Sequence, residues 1–296
     1  MGLNVNSVTL LLLAHARGIS FDRVLMIGRQ SFAVSPADRR TLLRLPISDE
    51  MRDRLAHLRL GPDVYSEPFF ELCGARRVDS MDKTAYEGAT VLHDLNLPVP
   101  DAMAGSYDLV VDGGSIEHVF NVPVAFANCM RLLATGGHYV CNTATNNYSG
   151  HGFYQLSPEL FYAVFAPENG FAIERVFLYE EDGRNVWYQL SQPADAIRRL
   201  TFQNSKPAHL LVLAVKVADV PLFSDPPQQR MYDAAWAQPG VDVIRRQSPL
   251  KAAVFAWLDR APRLKWFVLN TWNTRQRFRR DLFQRVDPDQ RASRLR

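Results

Sequence analysis

Short apolar runs bounded by turn residues alternate with stretches in which apolar positions recur every three or four residues. Arg23 to Ile27 is an apolar run stopped by Gly28 and reads as a buried strand. Arg77 to Ser80, Ala89 to His93, Tyr107 to Val111, His138 to Thr143, Phe171 to Tyr179 and His209 to Val217 read the same way. Helices are expected from Asn6 or Ser7 to Arg17, and over 36–44, 48–58, 67–73, 122–133 and 158–165. Ser48 and Ser157 supply capping oxygens, and Pro36 and Pro158 favour a first turn. Gly136-Gly137 is expected to end the helix before it. The last two strands have no strong helix between them, which suggests an antiparallel pair. The alternation predicts an α/β layer fold with a mostly parallel sheet, whose ligands bind beyond the carboxyl ends of the strands.

After Val217 the pattern changes. Pro221, Pro226, Pro227 and Pro239 punctuate a linker, and two helices follow, from Ser248-Pro249 to Asp259 and from Arg263 to Val286. This divides the chain at 218, with an extension over 219–296. Residues 245–296 carry fourteen Arg and Lys against four Asp, a net of +10, and the rest of the chain carries −7. Three of the five Trp, at 257, 266 and 272, lie among these basic residues. A basic, aromatic helix suits a membrane surface, a protein partner over 249–286, or the acidic body itself. Phosphates of a nucleic acid are a weaker fit, since the body is acidic.

The composition excludes a disordered chain and a disulfide scaffold, with 47% hydrophobic and 22% charged residues. Cys73, Cys129 and Cys141 form no CxxC pair and read as buried free thiols. No apolar run is long enough for a membrane span, and the run Val8 to Ala14 lacks the flanks of a signal peptide. The expected location is the cytoplasm, with peripheral attachment to a membrane through the tail as one option.

Several strands end in ligand-suited residues: Gly28, Asp82, Asp94 and Asp112. The stretches Val24 to Gly28, His93-Asp94-Leu95-Asn96-Leu97-Pro98, Tyr107 to Asp112, Ile116-Glu117-His118-Val119 and Leu132-Leu133-Ala134-Thr135-Gly136-Gly137 occur in that order. Over about 21–217 the chain resembles the class I S-adenosylmethionine-dependent methyltransferases of the type 11 kind. That resemblance implies a doubly wound, seven-stranded Rossmann-like sheet whose last strand runs antiparallel, with S-adenosyl-L-methionine as cofactor. It implies cofactor contacts at Gly28, Arg29, Asp82, Asp94, Leu95 and Asp112. It places the segment 146–155 toward the acceptor, with Glu117, Tyr154 and Gln155 as substrate contacts. His118 and His151 are the candidate bases, since a histidine removes a hydroxyl or amine proton near neutral pH.

The first glycine motif is degenerate. Met26 stands where the family has an acid, and Gln30 where it has a second glycine. Asp82 lies 54 positions beyond Gly28, against roughly 20 in a compact fingerprint. Altered cofactor geometry, weak binding and loss of binding all stay open. The expected function is methyl transfer to a small metabolite or sugar hydroxyl or amine. The alternatives are an inactive binding module of the same fold and a nucleic-acid methyltransferase using the tail. Without a pair of histidines four apart, no metal site is expected among His93, Asp94, Glu117, His118 and His151.

Overall fold

A computed structural model of the chain describes residues 2–61, 63–183, 185–192, 200, 202, 204–237, 256–275 and 282–295. One sheet organises it. Its first strands in the chain are β2 (Arg23–Ile27), β4 (Arg77–Asp82), β5 (Val91–Leu92), β6 (Tyr107–Asp112) and β7 (Leu133–Asn146). These five lie side by side and parallel, in the order β5-β4-β2-β6-β7. The chain builds outward from β2 to β5 and then returns to the other side of β2 for β6. The switch point therefore falls between β2 and β6, two adjacent central strands as their apolar runs predict.

Beyond β7 the sheet continues with β10 (Ala208–Lys216) and β8 (Phe171–Glu180), and β10 is antiparallel to both neighbours. The expected antiparallel last strand is thus present. The expected strand number and the mostly parallel pairing are corrected. The sheet is mixed and has nine strands, because β9 (Trp187–Leu190) and β11 (Phe283–Val286) add two further antiparallel pairings at the far edge. The extension is accordingly not all helix: 283–286 is a strand of the main sheet. The expected helices over 249–286 are represented by residues 256–258 and the helix Pro262–Arg275. Residues 249–255 and 276–281, the latter holding Arg277, Phe278, Arg279 and Arg280, lie outside the described residues.

Side chains alternate across the pleat, so each strand feeds two cores. Val24, Met26, Leu109, Val111, Leu211 and Leu213 enter one, and Leu25, Ile27, Val110, Leu210 and Val212 enter the other. The first core is covered by α1 (Val5–Ala16), α2 (Pro36–Leu42), α3 (Asp49–His57) and α4 (Glu67–Leu72). The second is covered by α5 (Val122–Leu132) and α6 (Pro158–Val164), through Phe126, Met130, Phe161 and Phe165. Helices α2 to α4 form an insertion between β2 and β4, as the distance from Gly28 to Asp82 requires.

The amino terminus differs from expectation. Helix α1 is capped two or three residues earlier, by Asn4, whose Oδ1 accepts from the N–H groups of Asn6 and Ser7 at 3.0 and 3.1 Å. Asn6 and Ser7 are buried inside the helix and serve tertiary contacts instead. Trp187 Nε1 donates to Asn6 Oδ1 at 2.7 Å, and Asn142 Nδ2 donates to Ser7 Oγ at 2.7 Å. Before the cap, β1 (Gly2–Asn4) pairs in parallel with β3 (Ser31–Ala33), directly after the loop that leaves β2. Gly136-Gly137 does not separate helix from strand. Strand β7 begins at Leu133 and the glycines sit where its register against β6 shifts.

Candidate functional site

The site is built from the loops that leave the carboxyl ends of β2, β4, β5, β6 and β7. Gly28 turns the chain out of β2 with φ +71°, a conformation that favours glycine, and donates to Met81 O at 2.7 Å. Gln30 then folds back into the protein and is fully buried. Its Nε2 donates to Ile27 O and to Ser115 Oγ, which spans the ends of β2 and the loop after β6. A Cβ on Gly113 would lie 2.5 Å from Gln30 Oε1 and 3.2 Å from Leu3, so Gly113 is what lets these groups pack there. Where the family has a glycine, this chain has a side chain filling the switch point with the N-terminal strand above it.

The neighbouring edge is more open. Asp82 ends β4 half-buried, and its carboxylate has one long contact, from Thr84 N–H at 3.4 Å. Asp94 follows β5 and is bound by Lys83 Nζ at 2.9 Å, by Asn96 N–H at 3.0 Å and by Asn96 Nδ2 at 2.8 Å. The Lys83 ammonium, then the Asn96 donors, hold its carboxyl well below the usual carboxylate range. Leu95 is buried in the second core. Arg29 is engaged within the protein: it pairs with Glu67 at 2.7 Å, donates to Glu87 O at 2.8 Å and lies over the Tyr65 ring.

Asp112 is placed differently from the sequence expectation. It is 1% exposed and accepts from Gly114 N–H at 3.2 Å, Ser115 N–H at 2.7 Å and Tyr139 Oη at 3.2 Å. Burial raises its pKa against these donors. Its work is to fold the turn after β6, with no face left for a ligand.

That turn delivers Glu117 and His118 from a single helical turn, Ile116–His118. Glu117 is 1% exposed, and its Oε1 lies 3.7 Å from His151 Nε2. Its Oε2 has no hydrogen-bond partner. Burial first, and the neighbouring Asp112 carboxylate second, push its pKa up to about 7. The Thr143 hydroxyl is near enough to favour the charged form but not at hydrogen-bonding geometry. His118 and His151 meet edge to face, with ring centroids 4.7 Å apart. His118 is exposed, and desolvation and the His151 ring lower its pKa. Sequence spacing leaves His118 and His151 apart by a whole strand; the fold brings them together with Glu117.

The segment after β7 is held onto this turn by its backbone. Phe153 and Tyr154 N–H groups donate to Glu117 O at 2.8 and 3.2 Å. Gly152 has φ +69°, and a Cβ there would lie 2.8 Å from Glu117 O. Tyr154 Oη donates to Phe120 O at 2.8 Å, and Gln155 Oε1 accepts from Tyr148 N–H at 2.9 Å, so both fix the loop. Sequence reasoning missed Tyr148, His209 and Glu181, which form a second layer. Tyr148 Oη meets His209 Nε2, His209 lies 2.9 Å from Glu181, and its ring stacks on Tyr179. His209 sits in an apolar strand, and only the pairing of β10 with β7 and β8 reveals its neighbours. A cavity of about 490 Å³ lined by Glu159, Glu168, Asp225 and Asp233 lies elsewhere and shares no residue with this cluster.

No protein-family model matches this chain, and no curated protein is significantly similar to it. Solved structures do show likeness. One is a branched-chain polyamine synthase from Thermus thermophilus, in complex with N4-aminopropylspermidine and 5'-methylthioadenosine. It is 15% identical over 76% of this chain, with a TM-score of 0.36. The match spans 61% of that synthase's length. A 1,6-didemethyltoxoflavin N1-methyltransferase from Burkholderia thailandensis, with S-adenosylhomocysteine bound, is 14% identical over 72% of this chain and 78% of its own, with a TM-score of 0.38. A 16S rRNA adenine methyltransferase from Catenulisporales acidiphilia is 13% identical over 70% of this chain and 90% of its own, with a TM-score of 0.34. The functional reading is carried by this chain's own topology and side chains.

Proposed function

We propose that the chain is an S-adenosylmethionine-dependent methyltransferase acting on a hydroxyl or amine of a small metabolite or sugar. The observation that carries this is the polar cluster Glu117, His118 and His151 beyond the carboxyl ends of β6 and β7, in a sheet ordered β5-β4-β2-β6-β7-β10-β8 with β10 reversed. When bound, the cofactor supplies an electrophilic methyl group on a sulfonium. One feature of the strand ends fits it: the Asp82 carboxylate has lone pairs free for ribose hydroxyls. Asp94 and Leu95 border the same edge, and Gly28 brings backbone close to it.

The chain's own residues then act on the acceptor. The exposed rim of His118 and His151 receives it, and the two imidazoles account for the proton that leaves as the new bond to carbon forms. Glu117 stands behind them, its Oε1 3.7 Å from His151 Nε2. Loop 146–153, pinned to Glu117 O, sets their position. Positioning of this kind contributes much of the acceleration in a methyl transfer.

One observation favours the second reading, a non-catalytic binding module. Gln30 and the strand Gly2–Asn4 cover the place where the family's glycine loop lies open. Calorimetry of the full chain with S-adenosylmethionine separates the two. Saturable binding is expected; absence of heat at millimolar cofactor overturns the enzyme reading.

A further inference from the structure

We propose that Glu117, His118 and His151 hold a divalent transition-metal cation of the zinc type, with an open coordination position facing the acceptor's oxygen. The acceptor half of this statement rests on the methyltransferase reading; the cation half does not.

Four observations point the same way. One ligand atom from each of the three residues lies within 4.8 Å of the others. Ligands of one cation bound at about 2.1 Å sit roughly 3.0 to 3.4 Å apart. The 3.7 Å between His151 Nε2 and Glu117 Oε1 is already close to that. His118 is an exposed side chain, free to turn in by the rest. Second, Glu117 is 1% exposed and its Oε2 has no partner. A buried carboxylate oxygen without a partner is costly, and a cation is a partner that satisfies it. Among the described residues no Lys or Arg pairs with Glu117; its ion-pair neighbour is His151.

Third, the supports are rigid where ligands need rigidity. Glu117 O accepts two backbone N–H groups from the loop that carries His151, and Gly152 allows that approach at a spacing any Cβ would block. Fourth, an outer layer braces the loop, since Tyr148 reaches the His209 and Glu181 pair. Tyr148 is tied to the ligand-bearing turn through its carbonyl, which accepts from His151 N–H at 2.9 Å.

The donor set selects the cation class. Two imidazoles and one carboxylate suit zinc, cobalt, manganese or ferrous iron, whereas calcium and magnesium prefer all-oxygen cages. Three protein ligands leave room for an oxygen from solvent or substrate. An oxygen so bound loses its proton near neutral pH. In that arrangement the imidazoles would serve as ligands and not as bases: the cation would lower the pKa of the acceptor's oxygen, whose proton leaves to solvent.

The test uses untagged full-length chain stripped with a chelator and titrated with Co²⁺, whose visible d–d bands report its ligands. The expected result is one equivalent of Co²⁺ with intensified bands, displaced by Zn²⁺. His151→Ala should weaken binding by more than roughly tenfold, since even a supporting partner of a ligand is worth that. His151 lies in a loop, so this variant keeps the fold, as its circular dichroism checks. Glu117→Gln and His118→Ala should weaken Co²⁺ likewise. Bands no different from buffer, or unchanged in all three variants, overturn the cation. Calorimetry with S-adenosylmethionine, run with and without Zn²⁺, keeps the two ideas apart. Cofactor binding without any Co²⁺ site sinks the cation alone. A Co²⁺ site without cofactor binding sinks the methyltransferase reading and leaves the cation standing.

Discussion

Glu117 shows how one side chain sets a pH dependence. Its carboxyl titrates near 4.5 in an unfolded chain and at about 7 in the folded one. Between those values the folded state holds a proton that the unfolded state has released. Stability from this group is therefore fullest below pH 4.5 and is lost as pH rises through 7. The loss amounts to at most about 3 kcal/mol at pH 8. In metal-free protein, Glu117→Gln should be more stable than the parent at pH 8, by about 1 to 2 kcal/mol, because the amide never ionises. At pH 5 the two should nearly coincide. Urea melts at the two pH values check this, and an equal gain at both would show that titration is not the cause. Saturating Zn²⁺ should flatten the parent's pH dependence, since the cation then balances the carboxylate. Asp82 gives the complementary case of a carboxylate whose partner is expected from outside. Its single protein contact is 3.4 Å long, so Asp82→Asn should leave the melting temperature nearly unchanged. It should weaken S-adenosylmethionine by roughly tenfold, the worth of a charge-assisted hydrogen bond. Unchanged affinity in calorimetry would show that Asp82 serves its turn alone. At this scale the sequence made the strand-end acids visible but not their occupations. Asp82 and Asp112 both follow apolar runs, yet Asp112 is consumed by Gly114, Ser115 and Tyr139. Only the depth of a strand end below the surface separates them.

Elements were legible where they are long and locally determined. Each of the seven apolar runs contains a strand, and the helices signalled by Pro36, by Ser48 and by Ser157-Pro158 start within a residue of their signals. The strands that escaped are β1, β3, β9 and β11, three or four residues each. Their pairing is decided by what lies beside them in space. Nothing in Gly2-Leu3-Asn4 announces a strand; it becomes one because Ser31–Ala33 leaves β2 alongside it. The same applies to Asn4, whose capping role depends on tertiary neighbours. It satisfies two N–H groups of α1 and also donates to Tyr179 Oη at 2.9 Å, tying α1 to β8. Asn4→Ala removes both and should cost about 1 to 2 kcal/mol in urea denaturation. Asn4→Ser, which keeps a capping oxygen but not the reach to Tyr179, should recover part of that loss. Equal losses in the two variants would place the cost in the Tyr179 contact and not in the cap.

At the scale of the whole molecule, the basic extension divides into two parts with opposite fates. Its last residues belong to the body. Val286 is buried, β11 pairs with β9, and Arg291 lies 4.2 Å over the ring of the buried Trp187. In the helix Pro262–Arg275, residues 262–268 do not share this burial. Leu264, Trp266, Phe267 and Val268 are 45%, 68%, 61% and 36% exposed, and Trp257 just before it is 62% exposed. Aromatic and basic side chains presented together suit an anionic bilayer surface, where apolar rings enter the headgroup region and Arg side chains stay at the phosphates. None of the described helices is long and apolar enough to cross a membrane. Two variants separate the parts. Removing residues 283–296 exposes the edge of β9 and the Trp187 ring, and should lower the melting temperature. Replacing Trp257 and Trp266 together by Glu removes two exposed rings and no core side chain, so the melting temperature should hold. That double variant should lose the flotation with phosphatidylserine vesicles expected of the parent chain. Flotation should also weaken as salt is raised, because exposed charges are screened within about 10 Å at 0.1 M. A parent chain that stays at the bottom of the gradient at low salt would reject the bilayer and leave a protein surface as the helix's partner.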